Sequence, residues 1–147
     1  MINRLTEILH GEQCSCVISN SGIIRTFRRR GIADLFITLK NEPKLLCGAL
    51  VADKVVGKAA AALLILGGAD HIYADIISTP ALAMLREHGI TVEFETETDH
   101  ILNRTGTGWC PMEQLCHNEH QPETIKDKLE QFLRGRNGSC SISTTKT

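Results

Sequence analysis

The segment Leu45–Gly68, LLCGALVADKVVGKAAAALLILGG, is a long apolar run with almost no polar face. Its first part, Leu45–Ala52, is continuously apolar, which is typical of a strand covered on both faces in an α/β sheet. Its second part, Val55–Leu66, is apolar nearly all round, which predicts a helix buried on most sides. We therefore predict a strand that leads directly into a buried helix, around which the rest of the chain packs.

The polar residues between this strand and this helix indicate a functional role for the start of the helix. We expect Asp53 to be the helix N-cap and Gly67-Gly68 to end the helix in a left-handed conformation. Lys54 and Lys58 then oppose the helix dipole, and Gly57 in the helix interior costs about 1 kcal/mol relative to Ala. One interpretation is an anion-binding site, where Gly57 allows close approach of a ligand or another backbone. The alternative is a solvated helix entrance with a tightly packed glycine.

The composition is that of one soluble globular domain. The chain has 147 residues, a net charge of −1 and 42% hydrophobic residues, so nucleic-acid binding is not expected. Neither a secretory signal nor a membrane span is recognisable, which predicts a cytoplasmic protein. The six cysteines are expected to be reduced thiols. We predict one domain over residues 1–134 and a disordered tail over residues 135–147.

The flanking patterns predict an α/β fold. A β-prone hairpin over residues 16–27 precedes three strand patterns that are separated by helical patterns. Parallel strands with right-handed crossovers then give a three-layer α/β/α architecture, in which the sheet is mixed: an N-terminal hairpin plus a parallel βαβαβ unit. The predicted helices cover residues 2–10, 31–40, 55–66, 80–88 and 122–134, and the predicted strands cover residues 16–19, 23–27, 45–52, 69–78 and 91–97.

A second unusual segment is Asn103–Cys116, NRTGTGWCPMEQLC. Its glycines and threonines predict a loop with exposed amides, and Pro111 fits the first position of a short helix. Cys110 would then lie at a helix N-terminus, where the dipole stabilises a thiolate. The only tryptophan, Trp109, adjoins it.

Residues 48–61, GALVADKVVGKAAA, and residues 103–113, NRTGTGWCPME, together resemble an uncharacterised prokaryotic domain family. The resemblance extends from Cys14 to Cys116 and implies a cytidine-deaminase-like fold. It implies no reaction, because the family has no established activity. A zinc deaminase needs His or Cys with Glu two residues later, and Pro-Cys-x-x-Cys on the next helix. Here the corresponding segments read Ala52-Asp53-Lys54-Val55 and Pro80-Ala81-Leu82-Ala83-Met84, so neither deamination nor a deaminase zinc is expected.

Three functional hypotheses follow. The first is binding of a nucleotide or another phosphorylated small molecule, with Cys110 as a nucleophile and Glu113 or Asp53 as a general base in a thiol-dependent enzyme. The second is a zinc site at Cys110, Cys116, His117 and His120, or at Cys14 and Cys16, although these spacings are not those of common zinc motifs. The third is a non-catalytic domain for ligand sensing or interaction. No cofactor is predicted. The sequence leaves the oligomeric state open, including the formation of a homo-oligomer. The predicted ligand-binding residues are Lys54, Gly57, Lys58, Asn103, Arg104, Thr105, Gly106, Thr107 and Gly108.

Overall fold

The structure is a computed structural model that describes residues 2–29, 32–103 and 105–136. Almost all of the predicted tail therefore lies outside the described residues. In chain order the elements are α1 (Ile2–Gly11), β1 (Cys16–Asn20), β2 (Ile23–Phe27), α2 (Ala33–Asn41), α3 (Pro43–Leu46), β3 (Leu50–Val56), α4 (Lys58–Gly67), β4 (His71–Ser78), α5 (Thr79–Glu87), β5 (Thr91–Thr98), α6 (Pro111–Cys116) and α7 (Pro122–Arg136).

The five strands form one mixed sheet in the order β2-β1-β3-β4-β5. Strand β1 is antiparallel to both β2 and β3, whereas β3, β4 and β5 are parallel. The prediction of a mixed sheet with an N-terminal hairpin and a parallel unit is therefore confirmed. Strand β5 lies at the edge of the sheet, as its alternation of acidic and apolar residues indicates.

Helices cover the two faces of the sheet unequally. The smaller apolar cluster joins Leu5 and Leu9 of α1 to Val17, Ala52 and Tyr73 on one face. The larger cluster, on the opposite face, contains buried side chains from α2 through α7. This division follows from strand alternation, because Val17 points to α1 while its neighbours in β1 point to the larger cluster.

The strand within the Leu45–Gly68 segment differs from the predicted strand over residues 45–52 at both of its ends. Pro43 begins a short helix before it, and the strand begins only at Leu50 and continues through Val56. Asp53 and Lys54 are strand residues, because Asp53 is paired with Cys16 of β1 and the Lys54 amide donates to the Ser15 carbonyl at 3.0 Å. Pairing with neighbouring strands thus outweighs the local preference of these polar residues for a helix start.

The helix after this strand begins three residues later than predicted, at Lys58. Gly57 is its N-cap rather than an interior residue, and Asp53 does not cap it. The left-handed stop is confirmed, since Gly68 has a φ of +81° at the C-cap. Lys54 therefore does not lie in the first turn of this helix.

Smaller differences concern the other helix ends. Helix α5 begins at Thr79, one residue earlier than predicted, and Ser78 caps it, because its hydroxyl accepts the Ala81 amide at 3.2 Å. The last helix extends to Arg136, beyond the predicted end at residue 134. None of the helices in the described part of the chain has the length and apolar character that a bilayer crossing requires.

Candidate functional site

The candidate site is the region where residues 99–117 meet the start of α4, beyond the carboxyl end of β3. This 99–117 segment follows β5, forms a loop and then forms α6. Ligands of α/β proteins commonly bind beyond the carboxyl ends of parallel strands. Arg104, one of the predicted ligand-binding residues, lies outside the described residues.

Glu113 of α6 connects the start of α4 to the beginning of the 99–117 segment. Its side chain is only 4% exposed, and its two oxygens accept different backbone amides. Oε1 accepts the Lys58 amide at 3.1 Å, and Oε2 accepts the Ile101 amide at 2.8 Å. Gly57 has no side chain to satisfy the first amides of α4, so a carboxylate 55 residues away in sequence performs the capping. The negative charge of Glu113 also lies at the N-terminus of α4, where the helix dipole stabilises an anion.

Gly57 is required because Glu113 approaches so closely. A Cβ atom at position 57 would lie 3.1 Å from Glu113 Oε1 and 3.2 Å from Ile101 Cγ1. Both distances are tighter than ordinary van der Waals contact. Gly57 therefore allows a close approach, but the approaching groups are side chains of the same domain and not the ligand or backbone considered from the sequence.

Lys58 is buried beside this carboxylate, with 5% of its surface exposed. Its ammonium donates to the His117 carbonyl at 3.3 Å. Burial lowers the pKa of Lys58, while the charges of Cys116, Glu113 and Glu119 oppose that shift. In this structure the ammonium therefore fastens the end of α6 to α4 and is not exposed to solvent.

The Asn103–Gly108 loop uses many of its amides internally. The Asn103 side-chain oxygen accepts the Thr107 amide at 3.1 Å, and the Asn103 amide donates to the Gly108 carbonyl at 2.9 Å. Gly106 adopts a φ of +71°, and its amide donates to the Asn103 carbonyl. The amides of residues 103, 106 and 107 are therefore already hydrogen-bonded within the loop. The hydroxyls of Thr105 and Thr107, 2.8 Å apart, lie on the exposed surface of the loop.

Cys110 occupies the N-cap position of α6, and Pro111 takes the first helical position as predicted. Cys110 is half-buried, and its amide donates to the Ile101 carbonyl at 2.8 Å. This hydrogen bond closes the base of the loop.

An aromatic cluster next to Cys110 was not predicted. The rings of His100 and Trp109 are stacked, with centroids 3.7 Å apart and planes 17° apart. The His117 ring meets Trp109 edge-on at 4.7 Å. From the sequence, His117 was considered only as a candidate zinc ligand, and His100 was assigned no role. The single tryptophan beside a glycine-rich loop was the available signal for this cluster.

Asp53 and Lys54 lie apart from this arrangement. Successive strand residues point to opposite faces, so the two side chains cannot line the same surface. Asp53 is half-buried beside Cys16, and burial raises its pKa to about 7, against the opposing hydrogen bonds of the Val55 and Lys54 amides. Lys54 is exposed. Within the described residues, no hydrogen bond or ion pair joins either side chain to Cys110 or the loop.

The structure does not assemble the zinc ligands considered above. Among the described residues, no three His, Cys, Asp or Glu side chains are placed to hold one metal ion. Cys14 and Cys16 belong to different apolar clusters on opposite faces of the sheet. Cys116 is buried in the larger cluster, where burial raises the pKa of its thiol to about 11.

Comparison with known proteins places the chain in a family. Residues 4–133 match the family described as TM1506, domain of unknown function (DUF1893). The crystal structure of a DUF1893 family protein (TM1506) from Thermotoga maritima is 29% identical to the chain, with a TM-score of 0.83. That similarity covers 89% of this chain and 88% of the Thermotoga chain. No curated protein matches. With nearly its whole described length matched, the chain belongs to the DUF1893 family of α/β domains, whose function is unknown.

Proposed function

We propose that this domain binds a nucleotide or a similar phosphorylated small molecule beside Trp109. The observation that carries the proposal is the half-buried stack of Trp109 on His100, next to the start of α4. Aromatic side chains on which bases stack contribute about 1–3 kcal/mol per base. The position beyond the carboxyl end of β3 is also the usual ligand position of α/β sheets.

The phosphate would bind where Glu113 now lies. The amides of Lys58 and Ile101 converge on the two oxygens of that carboxylate, so this point of the fold already accommodates an anion. A ligand phosphate offers the same kind of acceptor with more charge, and the Lys58 ammonium is nearby to balance it. We therefore propose that ligand binding exchanges Glu113 for phosphate. The exposed hydroxyls of Thr105 and Thr107 would contact the rest of the ligand.

Binding is favoured over catalysis by the environment of the predicted catalytic residues. Glu113 already accepts two amides, so it is not free to act as a base unless it is displaced. Asp53 has no described hydrogen bond to Cys110. A thiol-dependent reaction at Cys110 remains a second proposal, and it rests on the half-buried position of this thiol beside Trp109.

A cytidine-deaminase-like topology is likewise a proposal about architecture and not about reaction. The residues that open α4 are Gly57-Lys58-Ala59-Ala60, and those that open α5 are Thr79-Pro80-Ala81-Leu82. Neither start supplies the His, Cys and Glu groups that zinc deamination needs. The domain would then have a binding or sensing role at the carboxyl ends of the parallel strands.

Trp109 fluorescence provides the test, because it is the only tryptophan in the chain. Titration with AMP, ADP and ribose 5-phosphate should change the emission of the wild-type protein and raise its melting temperature. Lys58→Met should weaken the response, and Lys54→Ala, which removes an exposed lysine outside this site, is the matched control.

Alkylation provides a second readout. Bound nucleotide should protect Cys110 from iodoacetamide and leave the exposed Cys47 unprotected. An unchanged emission and melting temperature with all three compounds would contradict the proposal. Loss of the response in Lys54→Ala alone would instead support the anion site predicted from the sequence.

A further inference from the structure

Strand β2 lies at one edge of the sheet, and in the described part of the chain no strand pairs with its outer side. It joins β1 through a two-residue turn in which both residues have positive φ angles. The residues that flank such a turn form a hydrogen-bonded pair, so Ile23 and every second residue after it bond towards β1. The Phe27 carbonyl, which accepts the Ser15 amide at 2.7 Å, fits this alternation. The amides and carbonyls of Ile24 and Thr26 therefore point to the open side.

This edge lacks the features that usually protect an edge strand from pairing. Natural edge strands often carry lysine, proline or several charges, and β5 at the opposite edge has three glutamates. In β2, Ile23 is 53% exposed and Ile24 is 40% exposed. The only charged residue of β2, Arg25, donates to the two carboxylate oxygens of Glu42 at 3.0 and 3.2 Å. An approaching strand would therefore meet outward backbone groups and apolar side chains without net charge.

We propose that β2 pairs in antiparallel orientation with β2 of a second copy of this chain, so that the two sheets form one continuous sheet. The register that pairs all 5 residues of β2 has Arg25 on the two-fold axis. Ile24 then lies opposite Thr26 of the second copy, and each of these residues donates its amide to the carbonyl of the other. The two symmetric pairs use every outward backbone group of the strand.

The side chains also match in this register. Phe27 packs against the larger cluster, so Ile23 and Arg25 point to the same face. Ile23 lies opposite Phe27 of the second copy, and aromatic–β-branched pairs of this kind stabilise sheets. The two Arg25 side chains lie side by side, but each is paired with Glu42 of its own copy, so the contact has no net charge. A second copy therefore supplies the hydrogen bonds, the apolar contacts and the charge balance that this edge requires.

Sedimentation velocity of the full chain at increasing concentration measures the association. A contact of one 5-residue strand is small, so we expect a weak dimer that forms at high protein concentration. Ile24→Pro removes the outward amide in each copy and should raise Kd about tenfold or more. Ile24→Lys keeps the amide, places a charge at the edge and should raise Kd about threefold or more. Ile37→Lys makes the same change at an exposed residue of α2 and is the matched control, with Kd unchanged.

Disulfide cross-linking tests the register. Arg25→Cys places two thiols at the two-fold axis, where the Cα atoms of a non-hydrogen-bonded pair are about 4.5 Å apart, within the range of a disulfide. Oxidation with copper–phenanthroline should therefore give a dimer on a non-reducing gel. Ile23→Cys is the control, because its two thiols would lie about 13 Å apart along the paired strands. Both variants also carry Cys47→Ser, Cys110→Ser and Cys140→Ser, so that other thiols do not cross-link the chains.

Three results would overturn the proposal. The first is a wild-type protein that stays monomeric up to about 1 mM. The second is a dimer whose Kd is unchanged in both Ile24→Pro and Ile24→Lys, because another surface would then form it. The third is cross-linking of Ile23→Cys as efficient as that of Arg25→Cys. Far-UV circular dichroism shows that each variant is folded, and Ile24→Lys decides the comparison if Ile24→Pro does not fold.

Discussion

Replacing Glu113 should destabilise the domain more than replacing an exposed carboxylate. Glu113→Ala removes the acceptor of two amides, those of Lys58 and Ile101, in a region where the carboxylate is only 4% exposed. Hydrogen bonds to charged groups contribute about 1.5–3 kcal/mol each, and an unsatisfied buried donor costs about 1–3 kcal/mol. We expect Glu113→Ala to lower the free energy of unfolding by about 3–5 kcal/mol.

Glu113→Gln should cost less, about 1.5–3 kcal/mol, because its amide oxygen can still accept one of the two hydrogen bonds. Both values are measured by urea unfolding followed by far-UV circular dichroism, which does not depend on the nearby Trp109. Glu7→Ala is the control, since it removes an exposed carboxylate within α1 and should change stability by less than about 0.5 kcal/mol. A loss below about 1 kcal/mol in Glu113→Ala would refute the assigned role of this carboxylate.

Four further results are expected from the same geometry. Gly57→Ala should cost about 1 kcal/mol, because the new methyl group presses on Glu113, and the cost should shrink in a Glu113→Ala background when unfolding is measured as a double-mutant cycle. Ser78→Ala should cost about 1 kcal/mol in urea unfolding, because it removes the cap of α5, and a loss near zero would contradict that capping. The folded pKa of Asp53, raised by burial to about 7, lies above its unfolded value of about 3.9, so the folded state binds more protons between these values and stability falls as pH rises through this range. Asp53→Asn should remove this fall, which is at most about 4 kcal/mol, and a wild-type protein equally stable at about pH 5 and pH 8 would argue against it. Cys116 should resist alkylation in native protein and react only after unfolding, as peptide mass spectrometry would show.

The sheet and its topology could be predicted because periodicity and turn residues are local signals. The hairpin of β1 and β2 follows from two β-prone runs around Asn20-Ser21-Gly22, and both Ser21 and Gly22 adopt positive φ angles. The parallel strands follow from apolar runs separated by helical patterns. In each case the residues that predict the element are close together in the sequence.

The start of α4 could not be located in this way, because its cap is distant in sequence. Local rules choose Asp53 as a cap, since it is the first polar residue after an apolar run. The actual capping group is Glu113, which reaches Gly57 and Lys58 only when α6 has packed on α4. Gly57 and Lys58 do not violate local rules inside a helix, because they begin α4, where the Glu113 carboxylate accepts the Lys58 amide.

The aromatic cluster of His100, Trp109 and His117 could not be predicted from the sequence for a similar reason. His100 and His117 are separated by a loop and a helix, and their rings meet Trp109 only in the folded 99–117 segment. Isolated histidines in a sequence carry no periodic signal that would indicate such contacts.

Amide hydrogen exchange at Lys58 and Ile101 tests the central claim most directly, namely that the Glu113 carboxylate is the internal anion of this site. In wild-type protein both amides should exchange slowly, because each donates to Glu113. In Glu113→Ala both should exchange much faster, while the amide of Ala81, which donates to Ser78, should be unchanged. Rapid exchange of both Lys58 and Ile101 amides in the wild-type protein would contradict the account.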